Sequence, residues 1–207
     1  MDYRVRIVCE GVSLNGTKDV YCLPLNILEI IRVGSCLQLG RRRRQGQELV
    51  LWLNLKFKTI ESMVCFFCTF LALRSQDSGR PVERIRDYEL DMEDELYGGL
   101  IFSGKDLHAL RIYRDGPSRA VRLQVSVYQG EMKYVPVWTA FITQHIKSEG
   151  WIHFVPSNLV LLRELQQIPF TFSYNPRLDS NGMYVLQFTT NADAEGFVDV
   201  ITELSKV

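Results

Sequence analysis

Along residues 53–73, LNLKFKTIESMVCFFCTFLAL, apolar side chains recur first at every second position and then at every third or fourth. The first spacing is that of a half-buried strand, the second that of one helix face. The same succession closes the chain. A shift of 131 positions carries Leu55, Phe57 and Thr59 onto Leu186, Phe188 and Thr190. It also carries Met63, Phe66, Phe67, Phe70 and Leu73 onto Ala194, Phe197, Val198, Ile201 and Leu204. A register kept through both periodicities points to two copies of one structural unit.

In the first copy, residues 3–9 alternate as a strand and Asn15-Gly16 signals a turn. Residues 20–23 and 27–33 predict further strands broken at Pro24, and Gly34-Ser35 leads into a strand over 36–39. Arg41, Arg42, Arg43 and Arg44 then fall at the tip of a hairpin whose second strand spans 48–58. Thr59 is placed to cap a helix from Ile60 to about Arg74, with Glu61 at its positive end and Arg74 at its negative end. Residues 76–95 read as a linker, polar at first and acidic at its end through Asp87, Glu89, Asp91, Glu93, Asp94 and Glu95.

Residues 96–207 predict the second unit. Strands are expected over 97–102, 107–113, 120–128, 134–142, 151–155, 159–162, 170–174 and 184–188. Asp115-Gly116-Pro117-Ser118 and Asn181-Gly182 supply turns, and Pro136 assigns its strand to an edge or marks that strand's start. The closing helix has Thr190 or Asn191 as its cap and Asp193 and Glu195 in its first turns.

Many short antiparallel strands ended by one amphipathic helix describe a small barrel or bent sandwich. The order resembles the pleckstrin-homology-like (PH-like) superfamily, carried by the LKFKT–helix and LQFTT–helix endings. The resemblance implies a mostly β, α+β protein: two PH-like barrels or sandwiches, each closed by one helix. It assigns residues 1–75 to a short first domain and 96–207 to a second, with Phe66 and Phe197 as the aromatics that plug them.

Composition changes this picture little. Hydrophobic residues make up 46% and charged residues 23%, the balance of a globular protein. The 24 basic and 24 acidic residues cancel, so affinity for nucleic acid or anionic membrane has to come from a local patch. No apolar run approaches the roughly 18 residues that span a bilayer. The start, MDYRVRIVCEG, lacks a signal peptide's order, and five cysteines without framework spacing fit reduced thiols. An intracellular protein is expected, nuclear or cytoplasmic.

Catalytic signatures are missing: there is no GxGxxG, Walker loop, HExxH or GxSxG, so no enzyme and no cofactor are expected. His145, Glu149 and His153 share a four-residue spacing, but Gly150 and WIHFV oppose a helix there; neither they nor His108 form a metal site. Cys65-Phe66-Phe67-Cys68 has no second pair to hold zinc and lies inside a helix, where its thiols serve as small core side chains.

Four adjacent cations at Arg41–Arg44 repel one another, which an anion nearby would relieve. Lys105, Arg111, Arg114, Arg119 and Arg122 are expected to cluster about the first hairpin of the second unit. Arg111-Ile-Tyr-Arg114 and Arg119-Ala-Val-Arg122 are each one residue too wide for the phosphoinositide motif of PH-like lipid binders. Trp138, Trp151 and Tyr128 are each expected first in a core, with an exposed apolar patch for a peptide as the alternative. Two functions follow. The first is an adaptor docking a protein partner through basic surface or a sheet edge, in an order similar to that of tandem modules in histone chaperones, hence chromatin. The second is a peripheral membrane adaptor binding phosphoinositide.

Overall fold

The computed structural model describes residues 5–13, 15–42, 49–78, 90–130, 132–171 and 174–206. The chain divides into two units, Met1–Asp91 and Met92–Val207.

In the first unit β1 (Arg6–Val12) and β2 (Lys18–Pro24) form an antiparallel hairpin, with Val12 opposite Lys18 and Arg6 opposite Pro24. Gly16 takes the left-handed conformation its turn requires, and its amide donates to the Ser13 carbonyl at 2.8 Å. Past Pro24, Leu25–Ile27 is a 3-10 helix rather than the start of a strand. A second sheet follows in the order β3 (Glu29–Val33), β4 (Cys36–Arg42) and β5 (Leu49–Lys56). Its ladder shifts between Leu39 and Gly40. A Cβ at Gly40 would lie 2.4 Å from the Val50 carbonyl oxygen, so only glycine permits that approach.

Helix α1 (Ile60–Ser78) starts where the pattern places it, with Thr59 Oγ1 accepting from the Ser62 amide at 3.2 Å. It continues beyond Arg74 because Ser75–Ser78 contain no breaker and Gly79 is the first. Arg74 is buried and donates to the Leu28 carbonyl at 3.2 Å, tying the helix to the 3-10 turn instead of sitting at the dipole's end. The buried face holds Met63, Val64, Phe67, Cys68, Phe70 and Leu71. Phe66, the expected plug, is only half-buried, 5.7 Å from the Phe57 ring. The buried face thus keeps Met63, Phe67 and Phe70 of the expected stripe, widens toward Val64 and Leu71, and leaves Phe66 at its margin.

The second unit is one eight-stranded antiparallel sheet. Its strands are β6 (Glu93–Ser103), β7 (Asp106–Asp115), β8 (Val121–Val127), β9 (Pro136–Phe141), β10 (Ile152–Val155), β11 (Leu159–Leu162), β12 (Ile168–Pro169) and β13 (Tyr184–Phe188). They lie in the order β10-β11-β13-β6-β7-β8-β9-β12, so the sheet is open and ends on β10 and β12 instead of closing as a barrel. Because β6 begins at Glu93, the acidic triplet Glu93-Asp94-Glu95 belongs to a strand and not to a linker. Strand β9 begins at Pro136, which has no N–H to give to a ladder.

Helix α2 (Asn191–Ser205) packs Ala194, Phe197 and Ile201 against Leu110, Leu123 and Phe188 in one core. The Phe197 ring lies 5.4 Å from Phe188 and 5.6 Å from Tyr97. Tyr97 lies over Gly99, where a Cβ would meet its hydroxyl at 2.1 Å, and that hydroxyl donates to the Asp193 carbonyl at 2.8 Å. Glycine at 99 therefore lets the first strand clamp the first turn of the last helix. Trp138 and Trp151 are buried in this core, so they form no exposed aromatic patch; Tyr128 alone of the three is exposed. Thr190 Oγ1 caps α2 by accepting from the Asp193 amide at 3.1 Å. Thr190→Ala should cost about 1 kcal/mol in urea unfolding, and Thr59→Ala a similar amount in the first unit.

Candidate functional site

The expected cation cluster of the second unit is dispersed. Lys105 sits in the β6–β7 turn and Arg119 in the β7–β8 turn, at opposite ends of a ten-residue strand and so about 30 Å apart. Between them the arginines are met by the acidic end of β6. Arg111 lies 3.3 Å from Glu95 and donates to Ser126 Oγ at 3.1 Å; Arg114 lies 3.7 Å from Asp94. Arg122 is buried, 1% exposed. Its Nε and Nη2 donate to the two Glu93 oxygens at 2.7 and 2.6 Å, and its guanidinium lies 4.7 Å over the Tyr113 ring. An arginine held so is part of the core and offers nothing to a ligand. The pairing is hidden in the sequence because Glu93, Asp94 and Glu95, the start of β6, have the composition of a linker, and partners across a sheet emerge only with the register.

In the first unit Arg41 is exposed on β4, with its backbone opposite Val50. The Arg42 side chain, Arg43 and Arg44 lie outside the described residues, as do Asp87 and Glu89 of the acidic run.

Several clefts open on the second unit, two of them larger than the rest described. One, of about 290 Å³, is lined by Glu95, Gly98, Leu100, Arg111, Lys133 and Tyr134. The other, of about 610 Å³, lies by the β6–β7 turn and is lined by Asp106, His108, Thr171, Tyr174 and Arg177. The first sets Arg111 and Lys133 against Glu95 and the second Arg177 against Asp106, so neither gathers several unopposed cations. Burial holds the His108 pKa below the usual histidine value, partly offset by Asp106. A folded-state pKa below the unfolded one means stability that is present above about pH 6.5 and is lost as pH falls through the lowered value. The second unit should therefore weaken below pH 6.5, and His108→Gln should lessen that loss in unfolding curves taken between pH 7 and 5. Burial also raises the Tyr174 hydroxyl to about 12.

Among the described residues no three metal-ligating side chains converge, and no helix is long and apolar enough to cross a membrane. Cys65 and Cys68 lie inside α1, with Cys68 buried. His145 stacks on Trp151, ring centroids 5.7 Å apart.

Exposed apolar surface concentrates in the first unit. Val8, Val12 and Val20 share one face of the β1–β2 hairpin, and Val50 and Leu51 on β5 are 43% and 52% exposed. Among the described residues, strand β5 pairs with β4 alone and ends its sheet. Its counterpart β13 is paired on both sides, with β11 and, through Gln187 and Phe188, with β6. The shift of 131 that superposes the two endings puts Lys56 and Phe57 where β13 has Gln187 and Phe188. Among the described residues, the neighbour that β13 finds in β6 has no equivalent beside β5.

Comparison with protein families gives two adjoining matches. The model for the N-terminal member of a pair, described as a PH domain found in tandem in fungal proteins, covers residues 1–93. The model for the C-terminal member, with the same description, covers residues 94–206. No curated protein matches the chain.

Proposed function

The chain belongs to the family of PH domains found in tandem in fungal proteins, and from that premise we propose that it is a non-catalytic adaptor that docks a protein partner. The observation that carries this reading is the edge of β5: eight residues, Leu49–Lys56, uncharged until the last, with Val50 and Leu51 exposed. Folded proteins protect such edges with charge, proline or a covering element, because an open apolar strand recruits another. Adding a strand from a partner is an established mode of recognition.

Charge supports a protein ligand over a lipid headgroup. Three of the five cations expected to bind an anion in the second unit face carboxylates of β6. That leaves Lys105 and Arg119 far apart, and a headgroup with several phosphates needs its cations together. The likeness to tandem modules of histone chaperones makes chromatin proteins the first partners to try.

The test pairs two measurements. Flotation with vesicles containing phosphatidylinositol bisphosphate at low salt should leave the protein unbound. Partners cross-linked to the wild type in extracts should be lost with Val50→Lys/Leu51→Lys. Flotation abolished by replacing Arg41, Arg42, Arg43 and Arg44 with alanine, with protein capture unchanged by the edge variant, would establish the phosphoinositide reading instead.

A further inference from the structure

The β1–β2 hairpin carries an apolar surface that the docking reading leaves unused. Val8, Val12 and Val20 are 57%, 71% and 62% exposed on one of its faces, more than either Val50 or Leu51 on β5. On the other face Ile7, Cys9 and Leu23 are half-buried, so the hairpin is held from one side only. A two-stranded sheet is marginal by itself and gains from a cover on its open face.

The charges on the open face describe that cover. Val12 lies opposite Lys18 in the ladder, and Glu10 lies opposite Val20. The four side chains at the turn end therefore form a rectangle, with opposite charges on one diagonal and valines on the other. Glu10 and Lys18 are exposed and, among the described residues, neither makes an ion pair or a side-chain hydrogen bond.

A two-fold axis in the plane of contact, laid along the perpendicular bisector of the charged diagonal, exchanges its two corners. Glu10 of each copy then meets Lys18 of the other, Val12 lies beside Val12, and Val20 beside Val20. With strands about 4.8 Å apart and a rise of about 3.4 Å per residue, the two hairpins cross at about 70°, near the orthogonal class of sheet packing. We infer that the chain self-associates face to face, as a two-fold pair, through the turn end of the β1–β2 hairpin. Every corner of the rectangle finds a counterpart that suits it on a second copy, which is the self-complementarity a two-fold contact demands. The face is small, so the association is weak and reversible. It leaves β5 open and stands or falls apart from the docking reading.

Sedimentation velocity of the whole chain, from about 0.02 to 1 mM, reads the association. The wild type should sediment faster as its concentration rises. Glu10→Lys and Lys18→Glu should each weaken association at least tenfold, because in a two-fold pair one substitution reverses two contacts. Mixing these two variants in equal amounts should restore the wild-type behaviour, since both lysine corners of one then face glutamate corners of the other. Val12→Ser should also weaken association at least tenfold. Should a charge variant fold poorly, Val12→Ser, at an exposed side chain, still decides. A chain that stays monomeric at about 1 mM, association indifferent to these substitutions, or a mixture no better than its components would overturn the inference. So would a monomeric wild type that loses a cross-linked cellular protein on Val12→Ser, since the face would then belong to another partner.

Discussion

Phe197→Ala is expected to destabilise the second unit by about 3–5 kcal/mol, the cost of a cavity left by a fully buried aromatic. Phe197 is 0% exposed and touches both Phe188 and Tyr97, so its removal unpacks the helix from two strands at once. Phe66→Ala, at the matching position of the repeat, should cost less, about 1–2 kcal/mol, because Phe66 is half-buried against one ring. Urea unfolding followed by tryptophan fluorescence reads the second unit alone once Trp52 is replaced by phenylalanine, since Trp138 and Trp151 both lie in the second core, and the difference from the chain that keeps Trp52 reads the first. Equal losses at the two positions would show that α1 uses the same face as α2.

Arg122→Ala should cost a comparable amount, about 3–5 kcal/mol, for a different reason. It leaves the Glu93 carboxylate, whose side chain is 2% exposed, without its cation. Removing one partner of a buried pair strands a charge, whereas replacing both by apolar groups of similar volume removes that penalty. Arg122→Met/Glu93→Leu should therefore recover most of the loss. A double variant no more stable than Arg122→Ala would mean that the guanidinium's bonds to Gln124 and Thr139 matter more than the ion pair.

These two positions also mark what the sequence makes legible. Helix α2 is unambiguous because only Ala194, Phe197, Ile201 and their neighbours are apolar, and a single face accounts for them. Helix α1 is apolar on adjacent faces, at Met63, Val64, Phe66, Phe67, Phe70 and Leu71. Its pattern puts Phe66 and Phe67 on one broad face, and only the packing shows that Phe67 is buried and Phe66 half-buried. For Arg122 the difficulty is register. Glu93 and Arg122 are far apart in sequence and on strands that are not neighbours, so their pairing depends on the whole β6-β7-β8 ladder.

The open edge had a faint trace in the sequence, namely seven successive residues, LVLWLNL, without charge. An uncharged run is equally the mark of a central strand. What distinguishes the two is the count of neighbours, which is a property of topology and not of composition.

Hydrogen exchange on the free protein tests the vacancy of that edge most directly. Amides of β5 should split into two classes alternating along the strand, one bonded to β4 and slow, the other facing the open side and exchanging as fast as those in loops. The Gln187 and Phe188 end of β13, paired on both sides, should show no such split. Uniform protection of every β5 amide would mean that the edge is already covered, and the docking account would fall with it.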